Sequence, residues 1–150
     1  MILLSKSLVI FLSVGLISGL FFGIYLLDFK NTSQLEFVDG PSISIVTEKF
    51  DFKKSETISI RIINSGTEKL IFDQSVFQLK ITGLSGMLIF SPDTNSLQKQ
   101  LEPKEELIVV WDQIKNDGDI ATEGLYKIST KAINENGNHV EKSSTITIWK

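Results

Sequence analysis

Residues 106–132 read ELIVVWDQIKNDGDIATEGLYKISTKA, and the apolar pattern in this stretch decides the fold. Leu107, Val109 and Trp111 recur at every second residue, which is the period of a β-strand. A second group with the same period follows after Asp117-Gly118, a dipeptide typical of turns. Its members, on one face of the second strand, are Tyr126, Ile128, Thr130 and Ala132. The stretch therefore predicts two strands joined by a polar connection.

The first of these strands is apolar at the intervening positions as well. Ile108 and Val110 stand between the residues of the first face. A strand that is apolar on both faces is typical of a fully buried position in a sheet. We therefore expect this strand to be covered on both sides.

The same period of two extends through most of the chain after Pro41, and Gly, Asn, Asp or Pro bounds each segment. The apolar members of the other predicted strands are Ile43 and Ile45; Ile58, Ile60 and Ile62; Leu70 and Phe72; Phe77, Leu79 and Ile81; Met87 to Phe90; and Ile146 and Ile148. Close spacing of short strands predicts an all-β fold, an immunoglobulin-like antiparallel β-sandwich of about seven or eight strands over residues 41–150. An up-and-down barrel is the alternative architecture.

Two stretches of the chain resemble a known family. LEPKEELIVVWDQIKNDGDIATEGLYKISTKAI, from Leu101, is similar to the intracellular proteinase inhibitor (BsuPI) family and to the immunoglobulin-like domain of flagellar hook-capping proteins. SETISIRIINSGTEKLIFDQSVFQL resembles the opening hairpin of that family, with Asn64 and Gly66 at its turn. The matching positions of the first stretch are Leu101, Pro103, Glu106, Trp111, Asp112, Gly118, Gly124 and Tyr126.

The resemblance implies an immunoglobulin-like fold over about residues 50–135, with protease inhibition as one expected activity. The residues themselves favour structural roles. Pro103 precedes a strand, Trp111 supplies a large apolar side chain for a core, and Tyr126 after Gly124 suits a tyrosine corner. An inhibitor needs a protease-binding loop, and Ser91 to Gln100 is the longest polar candidate.

The N-terminal residues predict a different kind of element. Residues 7–27 contain no charged residue, and a helix of this length matches the roughly 30 Å hydrocarbon core of a bilayer. Lys6 precedes the run, so we expect a cytoplasmic N-terminus over 1–6, a transmembrane helix over 7–27, a linker over 28–40 and an extracytoplasmic domain over 41–150. A cleaved signal peptide is the alternative, although no A-x-A-like site follows the apolar run.

Smaller motifs accompany this segment. Gly15, Gly19 and Gly23 form a small-residue stripe that favours helix association and a homo-oligomer, although glycine is also simply frequent in membrane helices. Asn31 begins an Asn-Thr-Ser glycosylation sequon.

Composition excludes several kinds of chemistry. The chain has no cysteine, so disulfides and thiolate sites are excluded, and His139 is the only histidine. Residues 28–150 contain 14 basic and 18 acidic residues, a formal charge of −4, which argues against nucleic acid as a partner. Asp112, Asn116, Asp117 and Asp119 are rich in oxygen, but they do not match an EF-hand, and we interpret them as a solvated turn.

The sequence predicts no catalytic, cofactor-binding or metal-binding residue. We therefore expect a non-enzymatic subunit that binds another membrane or cell-surface protein through a loop or an edge strand. An anchored BsuPI-type inhibitor is the second hypothesis, and a Ser-Lys hydrolase is the third.

Overall fold

In the computed structural model the chain forms two compact units, Met1–Ser33 and Gln34–Lys150. The structure describes the backbone of residues 6–32, 35–72, 79–92 and 100–150, and within the helix it describes the side chains of residues 11–25. Four sequence predictions lie wholly or partly outside the described residues. They concern residues 1–5 of the predicted N-terminal segment, Phe77, residues 93–99 of the polar candidate loop, and the side chain of Asn31.

The first unit contains the helix α1, Lys6–Thr32. Its apolar residues were predicted to be helical, but the helix also includes residues 28–32, where the sequence predicts the start of a linker. These polar residues do not end the helix because no glycine or proline follows Gly23 until Gly40.

The predicted membrane localisation is contradicted. Among the described residues, no helix is both long enough and apolar enough to cross a membrane. The predicted single-pass topology, with a cytoplasmic N-terminus and an extracytoplasmic domain, depended on a spanning helix and is withdrawn with it.

The second unit consists of ten described strands, more than the seven or eight predicted. They are β1 (Ile43–Thr47), β2 (Asp51–Lys53), β3 (Ile58–Asn64), β4 (Leu70–Ile71), β5 (Lys80–Gly83), β6 (Leu88–Phe90), β7 (Gln100–Leu101), β8 (Glu106–Trp111), β9 (Gly124–Asn134) and β10 (His139–Trp149). The two strands that were not predicted, β2 and β7, have three and two residues, too few to show an alternation.

The strands form two sheets. The three-stranded sheet has the order β1-β3-β8, and both of its pairings are antiparallel. The seven-stranded sheet has the order β2-β10-β9-β4-β7, with β5 pairing with both β6 and β9. One pairing in it is parallel, that of β2 with β10. The longest ladder is the β9–β10 hairpin, whose turn includes Gly137 with a φ of 80°.

The inward faces of both sheets form one core, so the fold is a β-sandwich. Ile58, Ile60 and Ile62 of β3 are fully buried, and Ile146 and Ile148 of β10 are buried from the opposite sheet. Their period of two was predicted from the sequence, and their burial confirms it. At one end of the core, aromatic rings replace aliphatic side chains.

Trp111 is the largest fully buried side chain at that end. Its ring stacks on Phe90 with the centroids 6.0 Å apart, and it meets Tyr126 edge-on at 5.7 Å. Aromatic pairs in these geometries stabilise a core by about 0.5–1.5 kcal/mol beyond their buried area. Trp111 therefore joins β6, β8 and β9 across the two sheets.

The Asn64-Ser65-Gly66 segment does not close the predicted hairpin. β3 and β4 lie in different sheets, and the chain crosses between them here. Asn64 is fully buried. Its Nδ2 donates to the carbonyl of Glu68 at 2.8 Å and to that of Leu101 at 2.9 Å. Its Oδ1 accepts from the N–H of Gly66 at 3.1 Å. This side chain takes the place of ladder hydrogen bonds at the crossing.

Replacing Asn64 with alanine should lower the free energy of unfolding by about 2–4 kcal/mol, because it leaves three backbone polar groups without their buried partner. Urea unfolding of the full chain would measure the change. Asn138→Ala is the matched control, since the side chain of Asn138 is exposed. Equal losses in the two variants would contradict the role given to Asn64.

Thr130 presents the opposite case, a buried hydroxyl without a partner. It is fully buried on the inward face of β9, and its Oγ1 finds no hydrogen bond among the described residues. Thr130→Val should raise the free energy of unfolding by about 1 kcal/mol, since an isosteric methyl replaces an unpaired hydroxyl. Thr145→Val, on an exposed position of β10, should change it by less than about 0.5 kcal/mol. A loss of stability in Thr130→Val would contradict the reasoning.

Candidate protein-interaction surface

β8 is an edge strand of the three-stranded sheet. In the part of the chain that the structure describes, it pairs only with β3. Its inward side chains are buried in the core, but Ile108 is 52% exposed and Val110 is 59% exposed on the outer face. The prediction that β8 is covered on both faces is therefore wrong. Two branched aliphatic side chains instead lie side by side in solvent on a strand edge.

A tight turn and a bulge position the N-terminal end of β8. In the turn from Glu102 to Glu105, the N–H of Glu105 donates to the carbonyl of Glu102 at 3.0 Å. Lys104 has a φ of 71°, and its N–H donates to the carbonyl of Asn64 at 3.0 Å. Asn64 in turn donates to the carbonyl of Glu105 at 2.9 Å. Lys104 and Glu105 thus lie together opposite the single residue Asn64, and the first of the two has a positive φ. This arrangement is a G1-type β-bulge.

Ion pairs surround this turn. Arg61 of β3 reaches across to Glu106 at 2.6 Å, and Lys69 pairs with Glu102 at 3.0 Å. The hydrogen bond that Lys69 donates to the carboxylate of Glu102, followed by the negative charge of that carboxylate, raises the pKa of Lys69 above its usual value. Three of these four side chains are at least 36% exposed and that of Lys69 is 27% exposed, so each pair stabilises the fold only slightly. The two pairs hold the carboxylates of Glu106 and Glu102 against basic side chains of neighbouring segments.

The C-terminal end of β8 is held by Trp111 and the two residues after it. The indole Nε1 of Trp111 donates to the carbonyl of Ile114 at 2.9 Å, and the N–H of Ile114 donates to Asp112 Oδ1 at 3.1 Å. Gln113 is fully buried, and its side chain makes three hydrogen bonds of 2.8 Å to the backbone of Lys53, Ser55 and Glu56. These bonds join the end of β8 to the turn between β2 and β3.

Lys115 offsets part of the negative charge of the oxygen-rich loop after β8. Lys115 Nζ lies 3.1 Å from Asp117 Oδ2 and 3.4 Å from Asp119 Oδ2. The N–H of Asp119, followed by the ammonium of Lys115, lowers the pKa of Asp117 below its usual value. In the described ranges, no group of three or more His, Cys, Asp or Glu side chains is arranged to hold a metal ion.

The residues assigned to the structural signature do not form one surface. Pro103 lies in the turn before β8, Trp111 is in the core, and Asp112 follows the strand. In the connection to β9, Gly118 and Gly124 have φ values of 90° and 150°, which favour glycine.

Tyr126 lies on β9, and its hydroxyl donates to the carbonyl of Thr122 at 2.5 Å. A hydroxyl bound to backbone a few residues upstream is the arrangement of a tyrosine corner. The glycines of α1, Gly15, Gly19 and Gly23, lie at exposed positions. Apart from the neighbouring backbone of the helix itself, a Cβ added to any of them would have no heavy atom of the described residues within 4 Å.

Ile108 and Val110 were not predicted as surface residues from the sequence. Their alternation with Leu107 and Val109 was visible, but it has the same form in a central strand and in an edge strand with an apolar outer face. The residues that flank β8 along the chain gave a weak signal of a sheet edge. Charged residues stand directly before and after the strand, as is common at a protected sheet edge.

Comparison with known proteins adds little to this geometry. No family model and no curated protein matches the chain. Among solved structures, the chain is similar to CopC from Methylosinus trichosporium OB3b, with a TM-score of 0.40 and 15% sequence identity, over 67% of this chain and 82% of that chain. A likeness this distant supports no inference about what this chain does.

Replacing Lys104 with glycine should raise the free energy of unfolding by about 0.5–1 kcal/mol, because glycine adopts the positive φ of the bulge without steric cost. Thermal unfolding of the full chain would measure it. Lys104→Ala is the control, since alanine removes the same charge and keeps the strain. Equal stabilities of the two variants would show that the backbone conformation of Lys104 is not strained.

Proposed function

We propose that this chain is a non-enzymatic protein-binding module with an immunoglobulin-like β-sandwich, and that β8 is its binding surface. The observation that carries the proposal is the pair Ile108 and Val110, more than half exposed on an edge strand. Exposed apolar side chains that lie together favour an interaction site, whereas single ones are common on any surface. The resemblance to the BsuPI family and to hook-capping domains supports the immunoglobulin-like assignment.

The rigidity of β8 supports the same role. The bulge at Lys104 and the hydrogen bonds of Gln113 hold its two ends, and Leu107 and Val109 between them are buried in the core. A surface that is fixed before binding loses little conformational entropy when a partner binds. The outer side chains of β8 are therefore presented in one defined arrangement.

The charge around β8 favours a partner of opposite sign. Residues 102–112 include four acidic residues and one lysine. Arg61 and Lys69 neutralise two of the acids, Glu106 and Glu102. Lys104 offsets a third acid, so a net charge of −1 remains, with the carboxylates of Glu105 and Asp112 at the two ends of β8. Complementary charge on a partner would speed association and exclude acidic competitors.

A photo-crosslinking amino acid at position 110 tests the proposal in the cells that produce the protein. We expect a discrete product with another protein, because the side chain of Val110 faces outward. The same amino acid at position 127 is the control, since Lys127 is exposed on the outer face of β9.

Competition makes the result specific. An excess of purified full chain should abolish the product, and an excess of the double variant Ile108→Lys, Val110→Lys should not, because lysine removes the apolar contact. The same product from position 127, equal competition by both chains, or a product made only of two copies of this chain would each overturn the proposal.

A further inference from the structure

The directions of the backbone N–H and C=O groups of β8 indicate how a partner would bind, which its side chains alone do not. In an antiparallel ladder, hydrogen-bonded and non-hydrogen-bonded pairs alternate, and the polar groups of a non-bonded residue point away from its partner strand. The N–H of Asn64 donates to the carbonyl of Glu105, so hydrogen-bonded pairs recur at every second residue from Glu105 along β8. By this alternation, the residues whose N–H and C=O groups point away from β3 are Glu106, Ile108 and Val110.

These three residues carry side chains on the outer face as well, since that face of β8 is exposed at the same alternate positions. Their backbone donors and acceptors therefore lie on the edge of β8 that pairs with no strand in the described part of the chain, directly beside the two exposed aliphatic side chains. An edge of this kind is a template for another strand, and natural proteins usually protect it with charge, proline or a bulge. Here the charges and the bulge lie at the ends of β8, and the centre from Leu107 to Val110 has none.

We infer that β8 binds by strand addition: it receives an extended segment of a partner protein that is apolar at alternate residues and flanked by lysine or arginine. The inference rests on the proposed function and names its binding mode. Backbone hydrogen bonds at Glu106, Ile108 and Val110 would provide the affinity, and the outer side chains would select β-branched neighbours.

A second copy of this chain fits the edge less well. The antiparallel register that sets the two exposed aliphatic side chains of one copy against those of the other pairs Ile108 with Val110. The same register places Glu106 opposite Asp112 of the second copy. Like charges directly opposite each other destabilise a strand pair. A segment with basic flanks meets the acids of residues 102–112 with opposite charge instead.

The inference can be tested with synthetic peptides and the purified full chain. The probe is Lys-Lys-Val-Thr-Val-Thr-Val-Lys-Lys, and titration followed by NMR reports both its affinity and the atoms involved. We expect slowed amide hydrogen exchange at Ile108 and Val110, with little change at Leu107 and Val109, whose N–H groups already bond to β3. The same peptide with glutamate flanks should bind at least about tenfold more weakly.

Two variants of one residue separate strand addition from simple contact with the outer face. Val110→Pro removes the outward N–H and keeps the ladder to β3, so it should weaken peptide binding by about tenfold or more. Val110→Thr keeps the N–H in a side chain of similar shape, so it should retain most of the affinity. Thermal unfolding of both variants verifies that each is folded. If Val110→Pro is not folded, Ile108→Pro repeats the test at the next residue whose backbone points outward.

The outcomes distinguish this inference from the proposed function. If crosslinking at position 110 succeeds and Val110→Pro binds the peptide as well as the native chain, the face binds a partner without strand addition, and the inference is overturned alone. If the lysine-flanked peptide produces no exchange protection at millimolar concentration, the binding mode is overturned. If crosslinking at position 110 yields no competed product, the proposed function itself fails.

Discussion

Asn64 lies where the chain leaves the three-stranded sheet, and its polar atoms satisfy backbone groups from both sheets. Its main chain bonds to the turn before β8, and its side chain bonds to the carbonyls of Glu68 and Leu101. A crossing between sheets breaks the ladder and leaves buried polar groups that cost about 1–3 kcal/mol each when unpaired. One amide side chain meets this requirement, and close packing at Gly66, where a Cβ would overlap the carbonyl oxygen of Gly40, completes the corner.

The position of β8 follows from this corner. Because Asn64 fixes the bulge at Lys104, it also fixes which residues of β8 face the core and which face solvent. A slip of one residue would exchange the two faces. Trp111 could then no longer pack between Phe90 and Tyr126, so the aromatic end of the core and the polar corner select the same register. The exposed pair Ile108 and Val110 is a consequence of that register.

The sequence predicted the parts of this fold that depend on local pattern. The inward faces of β9 and β10 were identified because Tyr126 and Ile128, and likewise Ile146 and Ile148, recur at every second residue, and a solvent-facing side makes this period visible. β8 was assigned correctly as a strand, but its outer face was predicted to be buried and is exposed. Whether an apolar residue such as Ile108 is covered depends on which strands lie beside it, and that is decided by residues distant in sequence.

The crossing at Asn64 could not be read from its sequence either. Asn-Ser-Gly is equally suited to a hairpin turn, and only the partners Glu68 and Leu101 distinguish the two. The N-terminal segment is the third difference. Its apolar composition predicted a membrane span, whereas no described helix meets the length and apolarity that crossing requires.

The three-stranded sheet ends at β8, and a strand that joins it would move this boundary outward without removing it. The joining segment would expose its own unpaired backbone to the solvent. If that segment were also open and apolar, further copies could continue the sheet, and growth would have no natural end. A finite complex therefore requires a partner whose far side is already closed, by proline, by charge or by membership in a sheet of its own.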